Sequence, residues 1–183
     1  MQHANTAYQL LITKDTAQAE SLAEELNAAN RERQILTQTM VDEARKQVGE
    51  SPTTASLVVS NASWQISIAG LVASRLVQEY FRPAFALTKK GRQWAGSARS
   101  TDAIDLMAAL QPVQNQLFEK FGGHPQACGF TLKEGITPKE FHTELEKRIR
   151  PLVKKKDLVE KIAIDAPLPL SGLHWELYDV LQQ

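Results

Sequence analysis

Ten consecutive residues, Phe121-Gly122-Gly123-His124-Pro125-Gln126-Ala127-Cys128-Gly129-Phe130, gather the groups best suited to handling a phosphate. Adjacent glycines let the backbone take up positive φ and approach a ligand closely. Pro125 suits the first turn of a short helix, which would turn the amides near Gly123 and His124 outward at a helix N-terminus. Free N–H groups and the positive dipole end bind anions there, and His124 would add a side-chain donor. A plain turn with a surface histidine is the competing reading. A second group is Gly96-Ser97-Ala98-Arg99-Ser100, two hydroxyls and a guanidinium after a glycine. The planar fork of arginine grips phosphate bidentately and serine adds a short donor. Arg75, with Ser74 beside it, is a third. Each is weak alone; together they fall within one small stretch.

Composition narrows the field. Lys+Arg and Asp+Glu are 21 each among 183 residues, so any nucleic-acid contact must come from a local patch and not from net charge. Apolar residues make up 43% and charged residues 23%, the balance of an ordinary globular protein with a real core. The single cysteine excludes an internal disulfide and a Cys-rich zinc site. No apolar run reaches membrane-spanning length, and Met1-Gln2-His3-Ala4-Asn5 is not the start of a signal peptide. A cytoplasmic location without membrane contact is expected.

The elements that must position these groups are an α/β set behind a long helix. Ala7 to Ile12 ends a first helix. Asp15 is a candidate N-cap with Gln18 in the capping-box position, and apolar residues then recur at helical spacing to Val48, where Gly49 and Pro52 stop the run. Its middle, which includes Arg31 and Arg33, is polar, as in a helix that bridges modules. After Pro52, Ala55 to Ser60 is predicted as a buried strand, and Ser67 as the cap of a helix ending at Arg82-Pro83. Ala84 to Thr88 and Gln93 to Ala98 form a hairpin around Lys89-Lys90-Gly91-Arg92. Asp102 opens a helix through Leu110, Pro112 restarts one through Lys120, and Gly129 to Lys133 is a strand. Thr137-Pro138-Lys139-Glu140 starts a helix to about Lys154. Lys154-Lys155-Lys156 reads as its solvated end, Ile162 to Leu170 as extended and proline-broken, and Leu173 to Leu181 as a short helix. The expected fold class is α/β: a long N-terminal helix, then a small mixed sheet flanked by helices.

In this order, Trp64, Gly70-Leu71-Val72-Ala73-Ser74-Arg75-Leu76, Arg82-Pro83, Gly96 to Ser100 and Phe121 to Phe130 resemble the C-terminal part of RecJ-type exonucleases. Those are single-strand-specific 5′→3′ DNA exonucleases of the DHH phosphoesterase superfamily. The part resembled is their DHH-associated, substrate-binding domain. Leu26-Asn27 and Asn30 to Gln34 resemble the family's interdomain helix, and Ile164 to Leu168 the start of the next segment. The resemblance implies a connecting-helix region at 1–50, a substrate-binding domain at 51–158 and the start of a C-terminal extension at 159–183. It implies that Ser97, Arg99 and Ser100 hold a 5′-terminal phosphate or nearby backbone, and that Arg75 contacts phosphate in the same cleft. Gly122, Gly123 and His124 would face the scissile phosphate, with His124 the candidate catalytic group. Two departures stand out: Gln65 and Ser67 replace the histidine and glycine of the family's Trp-His-x-Gly pattern. Cys128, where alanine is common, reads as a small buried residue.

The family hydrolyses DNA with two manganese or magnesium ions held by Asp and His, including an Asp-His-His triplet. That triplet does not occur in this sequence, and His3, His124, His142 and His174 are scattered. Two-metal hydrolysis needs several converging carboxylates. Asp102 and Asp105 read instead as helix-start residues. The expectation is a substrate-binding portion with no metal or cofactor site of its own, inactive alone. Its expected partners are single-stranded DNA and a missing DHH domain or second chain. Two other functions are kept open: an interaction module that docks through the long helix, and a fragment of a small-nucleotide phosphoesterase of the same superfamily.

Overall fold

The computed structural model describes residues 2–154, 158–159 and 164–182. Two helices, α1 (Gln2–Ile12) and α2 (Thr16–Val48), pack against each other as a hairpin. Asp15 caps α2, accepting from the amides of Ala17 at 2.9 Å and Gln18 at 3.3 Å. Gln18 does not close the expected box, because its side chain accepts from the Thr13 hydroxyl instead. Gly49, at φ 76°, ends the helix where the sequence places its stop. Among the residues of α1 and α2 whose burial is described, none before Met40 is buried; from there Met40, Val41 and Ala44 enter the core. Only the C-terminal third of α2 is buried against the sheet and α3.

The sheet has the order β1-β2-β3-β5-β4, with β1 (Leu57–Ser60) parallel to β2 (Ala84–Lys90) and every other pair antiparallel. The remaining strands are β3 (Gln93–Arg99), β4 (Phe118–His124) and β5 (Ala127–Leu132). Helix α3 (Ile66–Tyr80) crosses from β1 to β2 and packs on β2 and β3. Val72, Ala73 and Leu76 meet Val59, Ala86 and the buried end of α2 on this side. The other side is closed by α6 (Pro138–Ile149) and α4 (Leu106–Leu110), around a cluster of Phe85, Phe118, Phe130 and Phe141 with Leu145 and Ile149. Phe141 contacts Phe85, Phe118 and Phe130 at ring-centroid distances of 5.7, 5.8 and 5.3 Å. Such aromatic pairs stabilise beyond their area alone.

Several element boundaries differ from the sequence expectation, each for a local reason. The first strand begins at Leu57, not Ala55, because the Ala55 and Ser56 amides donate to Glu146 at 3.0 and 2.7 Å. Gln65 replaces Ser67 at the N-cap of α3, without a side-chain bond. The chain turns earlier because Thr88 donates to the Trp64 carbonyl at 2.6 Å and Glu43 accepts from the Trp64 indole at 2.7 Å. Asp105, not Asp102, caps α4. The helix after Pro112 stops at Leu117 as α5 (Gln114–Leu117), since Phe118 joins the sheet and the aromatic cluster. Pro125 starts no helix: Pro125-Gln126 is the two-residue turn of the β4–β5 hairpin, so no helix N-terminus lies at Gly123 and His124. The capping box on α6 is complete, Thr137 bonding the Glu140 amide at 3.2 Å and Glu140 returning to the Thr137 amide at 2.9 Å. The helix ends at Ile149, short of Lys154, where Pro151 removes a donor. Lys155, Lys156, Ile162 and Ala163 lie outside the described residues. Residues 164–169 are without regular structure, and α7 (Trp175–Leu181) follows. No helix among the described residues is long and apolar enough to cross a membrane.

Candidate nucleic-acid interface

Side chains alternate between the two faces of a strand, so residues paired across a sheet share a face. The pairing of β3, β5 and β4 therefore sets three rows: Ala95–Thr131–Lys120, Ser97–Gly129–Gly122 and Arg99–Ala127–His124. All three belong to the α3 side, since Arg99 and Ser97 pair with Ala84 and Ala86 of that core. Helix α3 covers β2 and β3 and leaves β5 and β4 open, so Gly129, Gly122 and His124 are exposed beside it. Four residues that the sequence singles out, Ser97, Arg99, Gly122 and His124, thus share two adjacent rows of one open face.

The floor of this face lacks side chains where space is free. A Cβ at Gly122 or at Gly129 would meet nothing within 4 Å. Neither fold packing nor a positive φ requires glycine at this directly paired couple; both leave room above the sheet. Gly123 is different. It sits on the opposite row, at φ 156°, and a Cβ there would lie 2.2 Å from the Ala127 carbonyl oxygen. Its glycine serves the hairpin.

Arg99 is half-buried between sheet and helix, its guanidinium donating to the Ala98 carbonyl at 2.8 Å. A Cβ on Gly70 would come within 2.9 Å of its Nη2, so the glycine of α3 makes the space in which the guanidinium lies. Burial pushes the neighbouring Cys128 thiol up to about 12, with the charge of Arg99 pulling the other way. The thiol stays protonated and inert, as its small apolar role suggests. Ser97 borders a hollow of about 450 Å³ with Gly129, Thr131, Lys90 and Ile66. Ile66 begins α3, whose first turn carries neither a side-chain cap nor an acidic residue. Ile68 donates its amide to the Gln65 carbonyl at 3.0 Å, which leaves the Ile66 and Ser67 amides as the orphan donors of that turn.

The hairpin that carries His124 is braced from behind. Ser100 donates its amide to the Gln126 carbonyl at 2.9 Å, Leu106 donates to the Pro125 carbonyl at 2.8 Å, and Gln126 donates to Asp102 at 2.6 Å. The Ser100 hydroxyl donates to the Ile104 carbonyl at 2.8 Å, within that brace and away from the rows. Arg75 lies apart as well. It lines a cleft of about 540 Å³ between α2 and α3, with Arg33, Thr37 and Gln78. Sequence reasoning missed Gly129, Lys120 and Lys90. The alternation Ala127-Cys128-Gly129-Phe130, buried at Cys128 and Phe130, was the signal that could have marked Gly129 as facing outward.

Among the described residues, no three His, Cys, Asp or Glu side chains come together as a metal site. His124 faces a row of Ala127 and Arg99 with no carboxylate in register. This donor set does not fit a pair of catalytic ions.

The fold and this face define a small α/β module carried on a long helix, with β4 and β5 left open on the α3 side of its sheet. Residues 53–155 match the DHHA1 domain. The chain is 37% identical over 142 residues to the single-stranded-DNA-specific exonuclease RecJ of Bacillus subtilis, covering 75% of this chain and 18% of that protein. It is 31% identical over 170 residues to the Thermus thermophilus enzyme of the same name, covering 93% of this chain and 24% of that one. The crystal structure of Thermus thermophilus RecJ in complex with Mg2+ superposes with a TM-score of 0.82 at 28% identity, over 98% of this chain and 27% of that one. A crystal structure of exonuclease RecJ bound to manganese gives a TM-score of 0.69 at 28% identity, over 85% of this chain and 40% of that one. The chain belongs to the DHHA1 family, in the form found in RecJ-type exonucleases. It spans about a quarter or less of the length of these two curated relatives.

Proposed function

We propose that this chain is the substrate-binding portion of a RecJ-type single-stranded-DNA-specific 5′→3′ exonuclease, and that it holds the phosphates of single-stranded DNA on the open face of the sheet. The observation that carries the reading is the register that sets Ser97, Gly129 and Gly122 beside Arg99 and His124. Arg99 would grip a phosphate through its fork, Ser97 would add a donor, and the paired glycines would let the strand lie against the backbone. His124 would stand at the rim toward the scissile phosphate. Arg75, in the neighbouring cleft with Arg33, would contact backbone further along. Manganese or magnesium, which the relatives' structures contain, would be held by a DHH domain outside this chain and would supply the activated water.

The test is binding of a 5′-phosphorylated fluorescent single strand, compared with its unphosphorylated form and a duplex. The phosphorylated single strand should bind most tightly, with a salt slope on the order of −0.7 per phosphate neutralised. Equal affinity for all three would refute the reading.

A second reading has its own support. Tyr8, Leu11, Ile12 and Ile35 are exposed on an arm in which none of residues 4–39 is buried. Such a face suits a docking role for the arm, toward a DHH domain or a second copy of the chain. Sedimentation at micromolar concentration tests the second copy, since a strictly monomeric chain excludes it.

A further inference from the structure

On the α6 side of the sheet lies a hollow of about 470 Å³ that the open face does not use. Its walls are the Trp94 ring, Pro138, His142 and Lys139, with Val58 and Ser60 of β1 beneath. Trp94 is half-buried, one part packed on the phenylalanine core and the rest facing the hollow. Lys89, its partner in register, carries its ammonium 5.7 Å from the ring centroid. His142 is fixed by Nε2 donating to the Ser56 carbonyl at 3.1 Å, so the wall opposite is held in place. No acidic side chain lines the hollow, and nearby Glu140 is turned back onto Thr137. A flat aromatic surface flanked by cations suits a nucleobase with its phosphate, because stacking accepts any base and lysines neutralise the backbone.

The hollow and the open face are separate, on opposite sides of the sheet, and the end of the β2–β3 hairpin lies between them. Both lysines of the β2–β3 hairpin border the hollow that holds Ser97 and Thr131, and the strand alternation carries the Lys89 ammonium to the other side, over Trp94. A strand leaving the Ser97 row can follow Lys90 around the hairpin end to Lys89. We propose that the Trp94 hollow is a second contact for single-stranded nucleic acid, in which one base stacks on the indole and its phosphate pairs with Lys89 and Lys139. This rests on the reading of the open face as the phosphate-holding surface. The two contacts lie on opposite sides of the sheet, so only a strand long enough to round the hairpin can use both.

The experiment compares 5′-phosphorylated oligothymidylates of about four and about twelve nucleotides, lengths at the short and long ends of what a compact domain occupies. Binding of each is measured by fluorescence anisotropy to the full chain and to Trp94→Leu, Trp94→Phe, Lys89→Gln and Arg99→Ala. Trp94→Leu keeps an apolar side chain on the core, and melting temperatures identify any variant that unfolds. The expected result is about a tenfold loss for the longer strand with Trp94→Leu, none for the shorter, and recovery of most of the loss in Trp94→Phe. Lys89→Gln should lower the salt slope for the longer strand by roughly 0.7. Unchanged affinity of folded Trp94→Leu for the longer strand, with Arg99→Ala still weakening both, overturns this inference and leaves the open face intact. Failure of either strand to bind the parent chain overturns the reading of the open face, and this contact with it.

Discussion

The two faces of one sheet contrast more sharply than any two elements of the chain. On the α6 side, Phe85, Phe118, Phe130 and Leu132 stand on β2, β4 and β5 and meet Phe141, Leu145 and Ile149. On the α3 side these strands and β3 carry Ala86, Ser97, Gly129, Gly122 and Ala127. The side chains alternate large and small because the pleat alternates direction. Near α3 the helix packs on the small residues, with Ala84 and Ala86 in one cluster with Val72, Ala73 and Leu76, and Gly70 of the helix leaves room for the Arg99 guanidinium. Beyond it, over β5 and β4, nothing fills them. A face that is small because a helix packs on it and one that is small because it stays open look the same in sequence. Only the reach of α3 separates them.

Breaking the closed face should give the largest effect. Phe141→Ala removes a fully buried ring with three aromatic neighbours, and a loss of about 3–5 kcal/mol is expected in urea denaturation. Gly129→Val on the open face should behave oppositely. Its added side chain meets free space, so stability should change by less than about 1 kcal/mol, while single-strand binding is lost. A Gly129→Val protein that still binds DNA would show that the open rows are not the interface.

Arg99→Ala sharpens the contrast at the border of the two zones. Loss of a charge-assisted contact worth about 1.5–3 kcal/mol corresponds to roughly 10- to 150-fold weaker binding of the 5′-phosphorylated strand. Arg99→Lys keeps the charge without the fork and should recover only part of it. If lysine restored full affinity, the bidentate grip assigned to Arg99 would be wrong.

What the sequence reveals follows the same division. Periodicity and capping are local, so the long helix from Asp15 to Gly49 and the Thr137–Glu140 box are legible to within a residue or two. The β2–β3 hairpin is legible because Gly91, at φ 64°, closes it. Phe118 to Lys120 is not, since a helical continuation after Pro112 loses only to the ladder with β5, a tertiary choice. Pro125 misleads for the same reason: a residue fit for a helix's first turn also fits a two-residue hairpin turn. Among candidate site residues, types and order identify Ser97, Arg99, Gly122 and His124, but the register that aligns them is long-range. Ser100 carries the right chemistry, yet its hydroxyl is committed to Ile104. Gly129 carries no chemistry and is legible only once its partner Gly122 is known.

The hinge between the closed face and β1 gives a smaller, pH-dependent effect. Glu146 accepts from the Ala55 and Ser56 amides and the Ser56 hydroxyl, and pairs with Arg150 at 2.6 Å. Burial pushes its carboxyl up, but these hydrogen bonds outweigh it and hold the group below the ordinary glutamate value of 4.5. A carboxyl depressed in the folded state contributes stability above its unfolded pKa and loses it as pH falls through the folded one. The unfolding midpoint should therefore drop as the solution is acidified below pH 4.5. Glu146→Gln, less stable at neutral pH, should show a shallower drop. An equally steep acid transition in the variant would place the acid sensitivity elsewhere.

The smallest effect concerns the thiol beneath the Arg99 row. Cys128 is 3% exposed, and burial pushes its pKa up to about 12. The thiolate is the reactive form, so a maleimide at pH 8 should leave the folded chain unlabelled and label it fully in urea. Cys128→Ala removes one buried sulfur beside Ala98 without touching the open face, because Cys128 points into the phenylalanine core. It should cost about 1 kcal/mol or less and leave DNA affinity unchanged. Weaker binding in Cys128→Ala would mean that the two faces are mechanically coupled through β5, since Cys128 and Gly129 are adjacent on that strand and differ only in the side to which they point.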